Sequence, residues 1–331
     1  MRAPDFWRFG RDSGIARLLE PVGLAYAAVG AWRLAHARPE RAAVPVVCVG
    51  NLVAGGAGKT PVALALARRL RDRGLAPWFL TRGHGGREAG PLRVDSFRHS
   101  ADEVGDEALL LAAVAPTVVS RRRPAGAALA AAGGAGVVIM DDGHQNPTLV
   151  KNMSLVVVDG GYGFGNGRIL PAGPLREPVA RGLARASAMV VIGDDETDIA
   201  AWTPPGLPLL TARMAPGPEA AALAGRRVVA FAGIGRPEKF FAMARAVGAE
   251  VVAEHPFADH YPYAEADIQP ILDEAFALSA IPLTTAKDAV RLPPDQRQQV
   301  TVLTVSVTWD DPAALDRLLD DHLQDGGIGH G

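Results

Sequence analysis

Val46-Val47-Cys48-Val49-Gly50-Asn51-Leu52-Val53-Ala54-Gly55-Gly56-Ala57-Gly58-Lys59-Thr60-Pro61 is the stretch that decides the fold. An apolar run enters a glycine-rich turn, the turn ends on Gly-Lys-Thr, and an alanine- and leucine-rich segment follows. The run at 46–49 reads as a buried strand and residues 60–73 as a helix. In such a turn successive backbone N–H groups curl around phosphate oxygens. Lys59 brings a mobile cation to the outer phosphates, and Thr60 offers a hydroxyl to Mg2+. Gly55, Gly56, Ala57, Gly58, Lys59, Thr60 and Pro61 are therefore the expected nucleotide contacts. Pro61 suits a first helical turn, where its missing N–H costs nothing. One position departs from the full phosphate-loop pattern: glycine is expected five residues before Gly58, and Val53 stands there.

Outward from this stretch, short apolar runs predict strands at 78–81, 117–119, 137–140, 155–158 and 188–192, then at 228–232, 281–284 and 302–307. Helical segments fall between them, at 101–113, 125–132 and 239–247. Alternation of this kind predicts an α/β fold, P-loop NTPase-like, with a mainly parallel sheet and helices on both faces. A proline-rich stretch at 202–218 divides the chain. The expected units are a helical segment at 1–40, a phosphate-loop domain at 41–215 and a smaller C-terminal α/β domain at 216–331. The tail at 326–331 is expected to be mobile.

A nucleotide phosphate needs a divalent cation, and the cation needs carboxylates at a strand end. Val137-Val138-Ile139-Met140-Asp141-Asp142-Gly143 has the form of a Walker B element, with an acid that holds Mg2+ directly or through water. Gly105-Asp106-Glu107 opens an apolar helix. Its acids either cap that helix or serve as a base and a metal neighbour. Arg82 and His84 sit in a polar loop after a strand, suited to a substrate phosphate or to solvent. His144 and Gln145 follow the acid pair. Arg176, in a rigid proline turn, presents a planar fork to an anion or to a neighbouring acid. His260 lies among aromatics beside Asp259. Lys287 follows a strand and either reaches the nucleotide or pairs with Asp288.

Charge and composition narrow the classes. The chain has 331 residues, 48% of them hydrophobic and 21% charged, as a folded globular protein has. A net charge of −2 argues against a protein that coats nucleic acid. The single cysteine, Cys48, excludes an intramolecular disulfide and a cysteine zinc cage. The charge is uneven. Residues 1–41 hold seven arginines and four acids, a surplus of three, so the remainder carries −5. Within this basic segment Ile15, Leu18, Leu19, Val22, Tyr26 and Val29 recur at helical spacing, with Pro21 among them and Trp7 and Trp32 near the ends. The uncharged part, 21–32, is too short to span a bilayer. Two readings stand: a helix lying in an anionic membrane surface, or a helix packed on the core with its arginines in water.

Together the motifs resemble the tetraacyldisaccharide 4'-kinase family, the lipid A 4'-kinases. They run in the family's order: Val49-Gly50-Asn51-Leu52 into Gly55–Pro61, Arg82-Gly83-His84-Gly85-Gly86, Val104-Gly105-Asp106-Glu107, Asp141-Asp142-Gly143-His144-Gln145, Gly173-Pro174-Leu175-Arg176-Glu177-Pro178, Phe257-Ala258-Asp259-His260 and Thr284-Thr285-Ala286-Lys287-Asp288-Ala289-Val290. That family's phosphate loop also lacks the early glycine; His84 stands where the family often has tyrosine. The resemblance implies phosphorylation, with ATP and Mg2+, of the 4'-hydroxyl of an acylated glucosamine disaccharide 1-phosphate. It implies Asp106 as base with His260 as its partner, and Lys59 at the phosphates. Thr60, Glu107, Asp141 and Asp142 are the implied metal environment, Gln145 and Lys287 implied nucleotide contacts, and Arg82, His84 and Arg176 implied substrate contacts. It further implies membrane association through residues 10–38 at the cytoplasmic face of the inner membrane, peripheral or monotopic, with no nucleic acid and no obligate protein partner. A GTPase is disfavoured, since Thr285-Ala286-Lys287-Asp288 lacks the asparagine of the guanine-reading Asn-Lys-x-Asp element. A membrane-bound nucleotide switch is the other alternative.

Overall fold

β1 (Val46–Gly50) is buried along its whole length, as an apolar parallel strand at the centre of a sheet must be. The computed structural model describes residues 4–8 and 13–323. The tail expected at 326–331, and residues 10–12 of the expected membrane segment, lie outside the described residues. Onward from β1 come β2 (Pro77–Thr81), β3 (Leu92–Arg93), β4 (Thr117–Val119), β5 (Val137–Asp141), β6 (Met153–Asp159), β7 (Ala188–Ile192) and β8 (Leu209–Pro216). Next, β9 (Arg227–Ala232), β10 (Glu250–Pro256), β11 (Ile281–Thr285) and β12 (Thr301–Leu303) build a second sheet, and β13 (Val305–Trp309) returns to the first. The large sheet has the order β13-β8-β7-β6-β1-β5-β2-β4-β3, the small one β10-β9-β11-β12. Only the pairings of β3 with β4 and of β8 with β13 are antiparallel.

Helices cover both faces of the large sheet. On one face α2 (Lys59–Asp72) and the last helix of the chain, residues 312–323, pack Val62, Leu66, Leu70, Leu315 and Leu319 against Val47, Val49, Ile139 and Leu155. On the other, residues 123–132 form a helix that packs Ala127 and Ala130 against Val46, Cys48, Val138 and Met140. Neighbouring residues of one strand thus feed opposite cores, as the two-residue repeat of a strand dictates. Burying a Leu or Val side chain contributes roughly 1.5–3 kcal/mol, so these two layers hold the phosphate loop on a rigid base.

Three expectations change. Residues 302–307 are not one strand. β12 ends in the small sheet at Leu303 and β13 begins in the large one at Val305, with Thr304 between them. The C-terminal unit therefore does not run from 216 to 331: β13 and the final helix belong to the large domain, because Val307, Leu315, Leu318 and Leu319 complete its core. Both crossings between the sheets lie side by side, Gly217 N–H donating to the Thr304 carbonyl at 2.9 Å. Finally, the helix expected at 101–113 is broken. Gly105 has φ 87, ending one helix at Ala101–Val104 and starting the next at Asp106–Ala112.

The N-terminal helix, α1 (Gly14–Ala35), is capped by Ser13, whose hydroxyl accepts from the Ile15 N–H at 3.2 Å. It runs through Pro21 without ending there. Only Ala16 and Gly23 are buried. Gly23 packs on the Ile169 backbone, and Glu20 pairs with Arg168. Leu18 is 79% exposed, and Ile15, Val22, Leu24, Tyr26, Val29 and Trp32 are also exposed. The core-packed reading thus fails for most of its apolar side chains. No helix among the described residues is long and apolar enough to cross a membrane.

Candidate active site

The glycine-rich turn joins the carboxyl end of β1 to α2. Gly58 takes φ 84 at the cap of α2, a conformation that suits glycine. Val53 explains itself: it is buried and makes an antiparallel bridge to Leu175. Ala54 N–H donates to the Pro174 carbonyl at 2.7 Å, and Arg176 N–H to that of Leu52 at 2.8 Å. The start of the loop is thus held by the proline turn, and no left-handed residue is needed at position 53.

β5 lies beside β1 and delivers both acids to the loop. Asp141 is 1% exposed. Thr60 Oγ1 donates to its Oδ2 at 3.3 Å, while Oδ1 has no hydrogen-bond partner among the described residues. Burial, reinforced by the charge of Glu107, pushes its carboxyl up to about 7. Asp142 faces cations: Lys59 Nζ at 3.8 Å and Arg176 Nη1, donating at 3.2 and 3.4 Å. Burial would raise Asp142, but Lys59 and Arg176 outweigh it and hold the carboxyl below its ordinary value. Arg176 therefore pairs with Asp142, not with Glu177. Arg185 holds Glu177 at 2.8 and 2.9 Å.

The residues after the acids turn inward. His144 is buried between Ser154 Oγ (2.8 Å) and the Gly182 carbonyl (3.0 Å), and burial pushes its imidazole down to about 4. Gln145 donates to the Asn51 carbonyl at 2.8 Å and to Glu177 at 3.0 Å. Gln145 thus braces the phosphate loop.

Across the cleft, the break at Gly105 puts Asp106 at the head of its helix. A side chain at Gly105 would meet the His84 carbonyl at 2.4 Å, so the 82–86 loop packs on this break. Arg82 and His84 are themselves exposed. Asp106 is 5% exposed, and its Oδ1 accepts from the Glu107 N–H at 2.9 Å. His260, from the small domain, brings Nδ1 to 2.9 Å from Asp106 Oδ2. Lys287, on the same domain, stands 3.6 Å from Glu107 and not against Asp288. Burial disfavours an ionised Asp106, but His260, Lys287 and Arg291 overcome it and keep the carboxyl below its ordinary value. The same contact raises His260 above 6.5.

Sequence reasoning assigned no role to Asp159 or Arg236. Their 3.1 Å ion pair also joins the two domains. The signal was available: each follows a strand directly, at the edge where ligands bind in parallel sheets.

Glu107, Asp141 and Asp142 form no three-carboxylate cage; among the described residues no group of three or more metal-ligating side chains gathers. Mg2+ does not need one. It keeps water and substrate phosphate among its ligands and takes one or two protein oxygens. The orphaned Asp141 oxygen beside the Thr60 hydroxyl fits that demand.

A parallel sheet with a Gly-Lys-Thr loop on its central strand, and a strand-end acid beside it, defines a P-loop nucleotide-binding protein. The family model for tetraacyldisaccharide-1-P 4'-kinase matches residues 15–324. The tetraacyldisaccharide 4'-kinase of Rhodospirillum rubrum is 63% identical over 324 residues, covering 97% of each chain. That of Paramagnetospirillum magneticum is 59% identical, covering 97% of this chain and 98% of the relative. The crystal structure of LpxK from Aquifex aeolicus in complex with ATP aligns with a TM-score of 0.74 at 26% identity, covering 93% of this chain and 99% of that one. The chain belongs to the tetraacyldisaccharide-1-P 4'-kinase family and is a P-loop kinase.

Proposed function

We propose that the chain transfers the γ-phosphoryl group of ATP to the 4'-hydroxyl of a tetraacylated glucosamine disaccharide 1-phosphate, a step of lipid A biosynthesis. The observation that carries this reading is the Asp106–His260 contact, buried on the Asp106 side and facing the phosphate loop. A sugar hydroxyl is a weak nucleophile, and its proton must leave as the new P–O bond forms. Asp106 accepts that proton, and His260 holds the carboxylate ionised and in place.

Positioning and charge supply most of the acceleration in phosphoryl transfer. The loop from Gly55 to Thr60 cradles the phosphates. Lys59 neutralises charge that gathers on the transferred group, and Lys287 approaches the same phosphates from the small domain. Thr60 and Asp141 are the residues to hold Mg2+, with Glu107 near; the bound ion bridges phosphate oxygens and offsets their charge. Asp142 keeps Lys59 and Arg176 aimed at the cleft. Arg82, His84 and Arg176 line the side from which the anionic sugar enters.

The exposed apolar side of α1 supports a membrane seat for the enzyme, peripheral or monotopic, on the cytoplasmic face of the inner membrane where ATP is found. A tetraacylated substrate stays in the bilayer, so a surface-bound kinase meets it there. The deciding assay supplies purified protein with labelled ATP, Mg2+ and the lipid disaccharide phosphate. Label on the lipid supports the proposal. A folded protein that binds ATP and never labels the lipid would sink it and favour a nucleotide switch.

A further inference from the structure

We infer that Arg291 is a positioning residue for phosphoryl transfer: anchored on Asp288, it clamps the backbone on both sides of His260 and so fixes the imidazole against Asp106. The inference rests on the assignment of Asp106 and His260 as proton acceptor and partner. Its basis is one side chain with an unusual set of contacts. The Arg291 guanidinium and Asp288 are both buried, and Nη2 donates to Asp288 Oδ1 at 2.7 Å. The same Nη2 donates to the Gly233 carbonyl at 3.0 Å, and Nη1 donates to that of Tyr261, also at 3.0 Å. The Gly233 carbonyl also accepts the His260 N–H at 3.1 Å. Tyr261 is the next residue along. Thus the arginine fork grips the peptide that receives His260 and the peptide that leaves it.

His260 needs such a grip. Its φ is 57, in the left-handed region, where a residue with a side chain is held only if its surroundings enforce it. Asp288 enforces it further. Its carboxylate accepts from the Gly233 N–H at 2.8 Å, from the Tyr263 hydroxyl at 2.8 Å and from the Thr285 hydroxyl. The Tyr263 ring in turn carries the Arg291 guanidinium over its face at 5.5 Å. Arg291 does not replace His260 at the carboxylate. Its Nε stands 3.9 Å from the Asp106 oxygen that His260 approaches to 2.9 Å. A fork with three carbonyl or carboxylate acceptors in fixed directions is a task for arginine; lysine lacks the planar geometry.

The test is a double-substitution cycle on the full chain in detergent, read as labelled phosphate on the lipid disaccharide phosphate. Arg291→Met is expected to lower kcat about 100-fold, the cost of an ångström-scale misplacement, with the KM for ATP changed less than about 3-fold. In a His260→Ala background the same substitution is expected to cost less than about 2-fold, since residues acting as one unit are non-additive. Arg291→Lys, which keeps the charge and part of the donor set, is expected to recover some of kcat and to show the same non-additivity. It also serves if Arg291→Met does not fold. Equal penalties in both backgrounds, for whichever variant folds, would overturn the inference and leave Arg291 a general structural residue. A rise in the KM for ATP at unchanged kcat would overturn it as well. If Asp106→Asn and His260→Ala each leave kcat within a few-fold, the acceptor assignment itself is wrong, an outcome distinct from additivity.

Discussion

At the scale of single residues, the site is a contest between burial and neighbouring charge, and each acid resolves it differently. Asp106 stays ionised because cations surround it; Asp141, with an oxygen unpaired, does not. Replacing Asp106 by Asn is expected to lower kcat by about 100- to 10,000-fold, the range for a lost general base, with the KM for ATP nearly unchanged in steady-state kinetics. Lys59→Ala is expected to remove useful turnover, since phosphate charge then lacks its nearest cation. The His260–Asp106 pair has a pH window of its own. Asp106 titrates below its ordinary 3.8 and His260 above its ordinary 6.5, so the pair stabilises fully between those values. That stabilisation fades as pH rises through the raised His260 value, and as it falls through the lowered Asp106 value. The melting-temperature gap between the parent chain and His260→Gln should therefore be wider at pH 6 than at pH 8. A gap that grows with pH would contradict the pairing. Lys59, Thr60 and the two aspartates were legible because loop and strand-end acids follow from local sequence. The partners were not. Arg176 with Asp142 and Lys287 with Glu107 join residues far apart in the chain, and nearby acids offered equally good local matches.

At the scale of elements, a single glycine does the most. Residues 101–113 have the composition of one helix, and reading them so hides Asp106 in mid-helix. The break at Gly105 moves it to a helix head, where its carboxylate meets the next N–H and faces the cleft. Alanine here would meet the His84 carbonyl and take a left-handed backbone. Gly105→Ala is therefore expected to destabilise by roughly 1–3 kcal/mol, measured by chemical denaturation, and to lower kcat more than it changes KM. The break was in plain sight as a glycine, but apolar periodicity outweighed it. β8 was hidden for a similar reason. Its prolines suggested a linker, yet Leu209–Pro216 pairs with β7 on one side and β13 on the other.

At the scale of the whole molecule, the cleft and α1 have to serve one substrate. Removing residues 1–37 is expected to move the protein from the membrane fraction towards the soluble one on sedimentation. Unchanged sedimentation would assign membrane contact to another surface. The division into two sheets was legible from the proline-rich stretch, whereas the return of the chain was not, because 302–307 is one unbroken β-prone run. That return has a consequence for how the molecule is built. Since Gly217 and Thr304 are hydrogen-bonded neighbours, everything between them is an insert hung from a paired stalk. A paired stalk resists swivelling and favours rocking about one axis, the axis that carries His260 towards or away from Asp106. A cut in one strand of the stalk would leave the insert attached by the other. The insert could also be excised and its two ends rejoined by a few residues, leaving a nucleotide-binding body with no partner for its base.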